Sequence, residues 1–131
     1  MSKPVVEVSV ALVYRDARWL VARRHADAHL GGMWEFPGGK RERGEPATAA
    51  ALRELQEECG VHAIAERTLE PILYEYPDRR VSIAPVVCRW QAGEARPLGN
   101  ETCRWVALAE LRQLEMPPVN ADIIRRLEQT L

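Results

Sequence analysis

Cysteine is scarce in this sequence, and its few cysteines do not form a recognisable motif. The chain has three, Cys59, Cys88 and Cys103, and no two of them are separated by only two residues. The odd number argues against a disulfide framework, and the missing C-x-x-C spacing argues against a zinc site. We interpret them as small, half-buried thiols of a protein in a reducing, intracellular compartment.

An excess of one charge and a long apolar segment are also missing. Lys and Arg number 18 against 19 Asp and Glu, so the formal net charge is −1 and no broad positive field would attract a nucleic acid polymer. No apolar run is long enough to span a bilayer, and Lys3-Pro4 leads straight into an alternating segment instead of a signal peptide. We expect a cytoplasmic monomer without a membrane partner.

Internal repeats, low-complexity segments and linkers are absent too, so the 131 residues predict one domain, 1–131. Apolar periodicity predicts strands over 4–14, 19–24, 81–90 and 104–106, with hairpins joining the first two and spanning 74–83. It predicts helices over 46–59, over 107–114 and from Asn120 onward. Pro85 would lie at an edge or a bulge. The fold class expected is α/β (α+β), a mixed sheet between helices.

The middle helix has clear boundary signals. Pro46 fits its first turn, and Gly60 fits the position just past its end. Its predicted core stripe consists of Thr48, Leu52, Leu55 and Cys59. In the closing helix, Asn120 would be the N-cap.

Three carboxylates lie together near the end of the middle helix. Glu54, Glu57 and Glu58 are three and four residues apart, so they share one side of the helix, and Arg53 can pair with Glu57. A solvated acidic helix end is the simplest alternative. However, the helix dipole disfavours negative charge in the last turns, so a compensating cation is expected. Hard carboxylate oxygens favour Mg²⁺ or Mn²⁺, with a substrate phosphate completing the coordination.

The spacing around these carboxylates matches a known motif. Residues 39–61 fit G-x5-E-x7-R-E-U-x-E-E-x-G-U, in which U is aliphatic. The chain thereby resembles the Nudix hydrolase family, and segments such as 35–40, 74–79 and 117–120 resemble its MutT-like members. The resemblance implies an α/β/α sandwich and Mg²⁺-dependent (or Mn²⁺-dependent) hydrolysis of a nucleoside triphosphate. For the MutT-like members it implies hydrolysis of 8-oxo-dGTP to 8-oxo-dGMP and pyrophosphate, which sanitises the nucleotide pool and prevents replication errors.

The resemblance also implies roles for individual residues. The metal ligands would be Glu57, Glu58, the Gly38 carbonyl and, directly or through water, Glu54, which is also a candidate general base. Glu101 is the candidate for a loop glutamate that contributes to catalysis or metal binding, although its loop is about two residues shorter than in MutT-like proteins. Arg53 would orient the carboxylates, and Glu45 and Gly60 would support the motif.

Substrate recognition would lie outside the motif. The resemblance implies contacts with the nucleotide from Arg24, Phe36, Gly38, Gly39, Tyr76, Arg79 and Asn120. The Asn120 amide offers a donor and an acceptor together, which suits O6 and the protonated N7 of 8-oxoguanine. Arg24 and Arg79 have a simpler alternative as surface charges.

Two other functions stay open on the sequence. The same chemistry could serve another nucleotide, such as CTP or a methylated dCTP. A Nudix domain that binds a nucleotide without hydrolysing it is a further alternative, but the chain keeps all four motif glutamates, which disfavours it.

Overall fold

One mixed β-sheet runs through the middle of the protein and carries helices on both faces. In the computed structural model, which describes residues 3–131, the strands are β1 Val5–Arg15, β2 Arg18–Arg23, β3 Trp34–Glu35, β4 Gly38–Lys40, β5 His62–Thr68, β6 Ile72–Glu75, β7 Arg80–Ala92 and β8 Thr102–Ala107. The helices are α1 Ala47–Cys59, α2 Leu108–Leu111 and α3 Val119–Gln129. The predicted sandwich of helices around a mixed sheet is confirmed.

Strand β1 is the centre of the sheet, as its two apolar faces predict. It pairs in parallel with β7 along most of its length, from Val5 beside Arg80 to Tyr14 beside Arg89. On its other side it forms the predicted hairpin with β2 and, further back, pairs with the short strand β4. Strand β2 then pairs with β8. Strand β4 is therefore paired with the middle of β1, the central strand of the sheet.

Alternate residues of β1 point into two separate cores. Val8, Val10 and Leu12 face a core that is closed by α2 and α3. Ala11 and Val13 face a second core that is closed by α1. Because successive side chains of a strand point to opposite faces, both cores depend on the register of this single strand.

Helix α1 keeps its predicted end but not its predicted core stripe. Gly60 adopts a left-handed conformation with φ 67° and donates its N–H to the Gln56 carbonyl, which confirms it as the terminating glycine. Pro46 is extended and precedes the helix, so its placement in the first turn is wrong by one residue. The buried residues are Ala50, Ala51, Leu55 and Cys59, whereas Thr48 and Leu52 are only half-buried. Alanine methyls, which let the helix lie close to the sheet, form the first half of the stripe.

Pro85 is buried in β7, a strand with partners on both sides, so the predicted edge position is wrong. Its carbonyl accepts a hydrogen bond from the Leu69 N–H. The N and carbonyl of one residue point to the same side of a strand, so the missing N–H faces the gap between β5 and β6. Proline is tolerated in this central strand because the strand that pairs with β7 on that side changes from β6 to β5 at Pro85. The register irregularity lies in β5, between Ala65 and Arg67.

Asn120 is not the N-cap of the closing helix. Helix α3 begins at Val119, its capping residue is Pro118, and Asn120 is the second helical residue with 6% of its surface exposed. The Asn120 N–H is bonded to the Pro117 carbonyl. Since no side chain caps this helix, the Asn120 amide is free of the capping role. Helix α2 is also shorter than predicted, with four residues.

Across residues 3–131, none of the helices has the length and apolar character needed to cross a membrane.

Candidate functional site

The glycine turn of the motif lies where only glycine fits. Gly38 and Gly39 form the start of β4 and pair with Val10 and Ser9 of β1. A Cβ on Gly38 would lie 2.3 Å from the Ser9 carbonyl oxygen and 2.8 Å from the Val10 Cα, both of which are backbone atoms. A Cβ on Gly39 would lie 2.5 Å from a carboxylate oxygen of Glu54. The turn therefore brings its backbone directly against the carboxylates of α1.

Arg53 joins the acidic residues of the motif into one network. Its Nε lies 2.8 Å from Glu45, and its Nη1 lies 3.1 Å from Glu54 and 3.3 Å from Glu57. Its Nη2 donates to the Lys40 carbonyl at 3.1 Å, which ties the network to β4. One guanidinium thus fixes the orientation of carboxylates from the loop and from the helix.

Glu45 closes the charged loop that precedes α1. Its carboxylate accepts a hydrogen bond from the Glu42 N–H at 2.9 Å besides those from Arg53. The hydrogen bonds from Arg53 and Glu42 lower the pKa of Glu45 to about 2. Glu45 therefore stays ionised at neutral pH and braces the loop through these hydrogen bonds.

Glu58 also lies against the turn and is more buried than Glu57. Its carboxylate accepts a hydrogen bond from the Gly38 N–H at 2.9 Å. Burial raises the pKa of Glu58 to about 8, although the Gly38 N–H opposes the shift. A nearby positive charge would favour the ionised form of such a carboxylate.

The carboxyl end of α1 is held by the loop that precedes β8, a contact that the sequence did not predict. The Glu58 carbonyl accepts hydrogen bonds from Leu98 N–H, Gly99 N–H and the Asn100 side-chain amide, at 3.0, 3.1 and 3.0 Å. Asn100 is 7% exposed. An asparagine beside a glycine in a polar loop carries no sequence signal of burial, so only the fold reveals this contact.

A cavity of about 400 Å³ opens beside the turn. Its lining comprises Val8, Val10, Arg24, His25, Ala28, Glu35, Phe36, Gly38, Gly39, Glu58, Gly99 and Asn100. A slightly larger cavity, about 460 Å³, lies near Tyr14 and Trp19 and contains no residue of the motif. We take the cavity at the glycine turn as the candidate active site because it combines carboxylate, backbone and apolar surfaces.

Arg24 and Glu35 form one wall of this cavity. The Arg24 guanidinium contacts both Glu35 carboxylate oxygens, at 3.1 and 3.2 Å, and also donates to the His29 carbonyl. Burial raises the pKa of Glu35, and Arg24 opposes that shift. Arg24 is therefore an ordered, half-buried residue and not a free surface charge, while Glu35 is a neighbour that the motif did not reveal.

Tyr76 and Arg79 lie apart from the lining of the cavity, in the turn between β6 and β7. The Arg79 guanidinium carbon lies 5.2 Å from the centre of the Tyr76 ring. The Tyr76 carbonyl accepts a hydrogen bond from Lys3. The turn lies near the start of β1, where Val5 pairs with Arg80. The cavity is lined by Val8 and Val10, which lie further along β1.

Asn120 and Glu101 also lie outside the cavity lining. Val119, next to Asn120, packs in the core that Val8 and Val10 join, so α3 begins on the same face of the sheet as the apolar cavity wall. Glu101 is exposed, lies 3.9 Å from the Arg23 guanidinium, and donates its N–H to the Arg23 carbonyl. It directly follows Asn100 of the cavity.

The carboxylates do not converge on one point in this arrangement. Among residues 3–131, no three His, Cys, Asp or Glu side chains are grouped closely enough to hold a metal ion. Arg53 holds Glu54 and Glu57, and the Gly38 N–H holds Glu58. The donor set itself, carboxylate and carbonyl oxygens, still fits a hard divalent cation.

The family model of the NUDIX domain matches residues 9–126 of this chain. The chain belongs to the Nudix family. Members of this family generally use divalent metal ions and act on nucleotides.

The Nudix relatives include several MutT proteins. The chain is 35% identical over 128 residues to the 8-oxo-dGTP diphosphatase of Escherichia coli K12, covering 95% of this chain and 97% of the relative. It is 44% identical to the CTP pyrophosphohydrolase of the same organism, but over 59 residues only, 45% of this chain and 44% of the relative. Its fold matches the crystal structure of a MutT protein from Methanosarcina mazei Go1 with a TM-score of 0.85, at 22% identity and with 99% and 97% of the two chains covered.

Proposed function

We propose that this Nudix protein hydrolyses 8-oxo-dGTP to 8-oxo-dGMP and pyrophosphate. The observation that carries the proposal is the Arg53 network, which joins Glu45, Glu54 and Glu57 beside the glycine turn. The full-length similarity to an 8-oxo-dGTP diphosphatase supports the choice of substrate. We further propose that the protein acts as a monomer in the cytoplasm, where it would remove oxidised precursors before replication.

Mg²⁺ is the proposed cofactor, with Mn²⁺ as a substitute. Glu57, Glu58 and the Gly38 carbonyl would hold it, with Glu54 and Glu101 as further oxygen donors. Bound there, the ion would shield the phosphate charges and lower the pKa of water. The backbone of Gly38 lies directly beside the Glu58 carboxylate, so both donors belong to one small region.

The residues of α1 would have distinct roles in the reaction. Water attacks the β-phosphorus, the bond from that phosphorus to the bridging oxygen of the α-phosphate breaks, and the nucleoside monophosphate leaves. Glu54 would accept the proton of the attacking water. Arg53 would keep Glu54 and Glu57 oriented through its hydrogen bonds, and Glu45 would keep Arg53 in place.

The cavity next to the turn would receive the nucleoside. Phe36 and the two valines of β1 offer an apolar surface for the base. Arg24, ordered by Glu35, would lie near the nucleotide. We assign base selection to Asn120, together with Tyr76 and Arg79 of the β6–β7 turn, which would have to approach the bound base.

The preference for 8-oxoguanine is directly measurable. We expect kcat/KM for 8-oxo-dGTP to exceed that for dGTP by at least about tenfold, because a site that hydrogen-bonds a particular base edge leaves polar groups unpaired with the wrong one. Pyrophosphate release with Mg²⁺ should be compared for 8-oxo-dGTP, dGTP, dATP and dCTP. Equal kcat/KM for 8-oxo-dGTP and dGTP would refute the sanitising role.

Asn120→Ala should reduce this preference for 8-oxo-dGTP by about tenfold, since one hydrogen-bonding partner of the base is removed. Asp122→Ala, in the same turn of α3 and more exposed, is the matched control and should keep the preference. Melting temperatures of both variants should be recorded. A stable Asn120→Ala protein with the original preference would exclude Asn120 from base selection.

A pyrimidine nucleotide is the second candidate substrate. The local similarity to a CTP pyrophosphohydrolase, 44% over 59 residues, favours it. Adding CTP and a methylated dCTP to the same assay distinguishes the two candidate substrates. If either pyrimidine nucleotide is preferred, the proposed release of pyrophosphate is retained, but the assignment of 8-oxo-dGTP as the substrate is refuted.

A further inference from the structure

Two of the three cysteines lie side by side next to the candidate active site. Cys59 is the last residue of α1 and fully buried, and Cys103 is half-buried near the start of β8. Their sulfur atoms are 3.4 Å apart, and both are free thiols. The third cysteine, Cys88, is buried in β7, where its thiol contacts the Val86 carbonyl.

Asn100 connects these thiols to the end of the Nudix motif. Its amide nitrogen lies 3.8 Å from the Cys59 sulfur and 3.0 Å from the Glu58 carbonyl. Its amide oxygen lies 3.3 Å from the Cys103 sulfur. A change at either sulfur therefore acts on the same side chain that holds the backbone of Glu58.

We propose that Cys59 and Cys103 form a reversible oxidative modification site, at which hydrogen peroxide converts the two thiols into an intramolecular disulfide. A disulfide has a sulfur–sulfur distance of about 2.05 Å, so the two atoms need to approach by only about 1.4 Å. Cys103, which is partly exposed, is the sulfur that peroxide reaches. Disulfides in a reducing compartment are transient, as a sensing role requires.

The reaction balances in two steps. The Cys103 sulfur attacks one peroxide oxygen, the O–O bond breaks, and the departing hydroxide takes the thiol proton to form water, which leaves a sulfenic acid on Cys103. The Cys59 sulfur then attacks the Cys103 sulfur, the S–O bond breaks, and the second hydroxide takes the Cys59 proton as water. Two thiols are oxidised and one peroxide is reduced to two waters.

The disulfide would lower the rate of hydrolysis. It links the residue after Glu58 to the strand that follows Glu101, and it removes the thiol proton that Cys103 presents to Asn100. Small displacements of reacting groups cost large factors in rate. This consequence depends on the proposed function, whereas formation of the disulfide does not.

Formation of the bond is tested on the purified full chain with hydrogen peroxide, by intact mass and non-reducing peptide mapping. We expect a loss of about 2 Da, a linked Cys59–Cys103 peptide pair, and reversal by dithiothreitol. Cys88→Ala should behave like the wild type, and Cys103→Ser should lose the linkage. A disulfide that involves Cys88, a linkage between two chains, unreacted thiols, or oxidation of Cys103 that stops at the sulfinic acid would each overturn the proposal.

The effect on hydrolysis is measured on the same samples. We expect kcat to fall roughly tenfold or more on oxidation and to recover with dithiothreitol, with no peroxide effect in Cys103→Ser. An unchanged kcat in the fully linked protein would overturn the inhibitory part of the proposal. Absence of hydrolysis in the reduced protein would instead count against the proposed function and leave the mapped disulfide standing.

Discussion

Glu57→Gln is expected to lower kcat/KM for 8-oxo-dGTP at least about 100-fold while the protein stays folded. The side chain is 58% exposed, and among the described residues its hydrogen bonds and its ion pair are with Arg53 alone, so the fold does not depend on its charge. A glutamine amide keeps the shape but binds a hard cation more weakly. Pyrophosphate release and the melting temperature, each with and without Mg²⁺, should be measured together.

The control for this experiment is Glu42→Gln. Glu42 also lies near Arg53, at 3.7 Å, and its side chain is 70% exposed, but it is not a motif glutamate. It should keep activity and the stabilisation by Mg²⁺ that the Glu57 variant loses. Glu54→Gln should match the loss of activity in Glu57→Gln. Full activity in either of these two variants would remove that residue from the proposed machinery.

Gly38→Ala is expected to cost about 1–3 kcal/mol of the free energy of unfolding and most of the activity. The new methyl group would meet the Ser9 carbonyl oxygen and the Val10 Cα, which are backbone atoms of the central strand and have no rotamer to change. Strand β4 would have to move away from β1, which displaces the N–H that holds Glu58. Urea unfolding and pyrophosphate release should both report the change.

Gly99→Ala serves as the comparison because Gly99 lines the same cavity. Its added Cβ would meet the nearest atoms of Glu58 at 3.5 Å, an ordinary contact distance. We expect a change in stability within about 0.5 kcal/mol. If Gly38→Ala were as stable and active as Gly99→Ala, the close approach of β4 to β1 would not matter to the site.

The sequence predicted the pairing of Arg53 with Glu57, because the spacing of these two residues follows from helix geometry. Residues four apart on a helix share a side, so Arg53 and Glu57 lie together whatever the rest of the chain does. The end at Gly60 was equally local, since a glycine can adopt the left-handed conformation there without strain. Such predictions need no knowledge of the distant chain.

The wrong or missed predictions concern positions whose structure depends on contacts with segments that are distant in the sequence. Pro85 was assigned to an edge or a bulge because its missing N–H is costly in a central strand, but the change of partner from β5 to β6 removes that cost. Asn120 has the chemistry of an N-cap, yet the capping residue of α3 is Pro118, two residues earlier, and the amide is left for another role. The burial of Asn100 depends on the end of α1 meeting a loop about 40 residues later, which no local pattern can reveal.

The parallel pairing of β1 with β7 also determines how the protein folds. The pair joins the first described strand to residues 80–89, so most of the chain, with the whole Nudix motif, lies in the loop that this contact closes. Closing so long a loop costs entropy before any contact repays it, and folds with many distant contacts form slowly. The Nudix motif, although local in sequence, is therefore expected to acquire its final geometry only late in folding, after residues 80–89 have paired with β1.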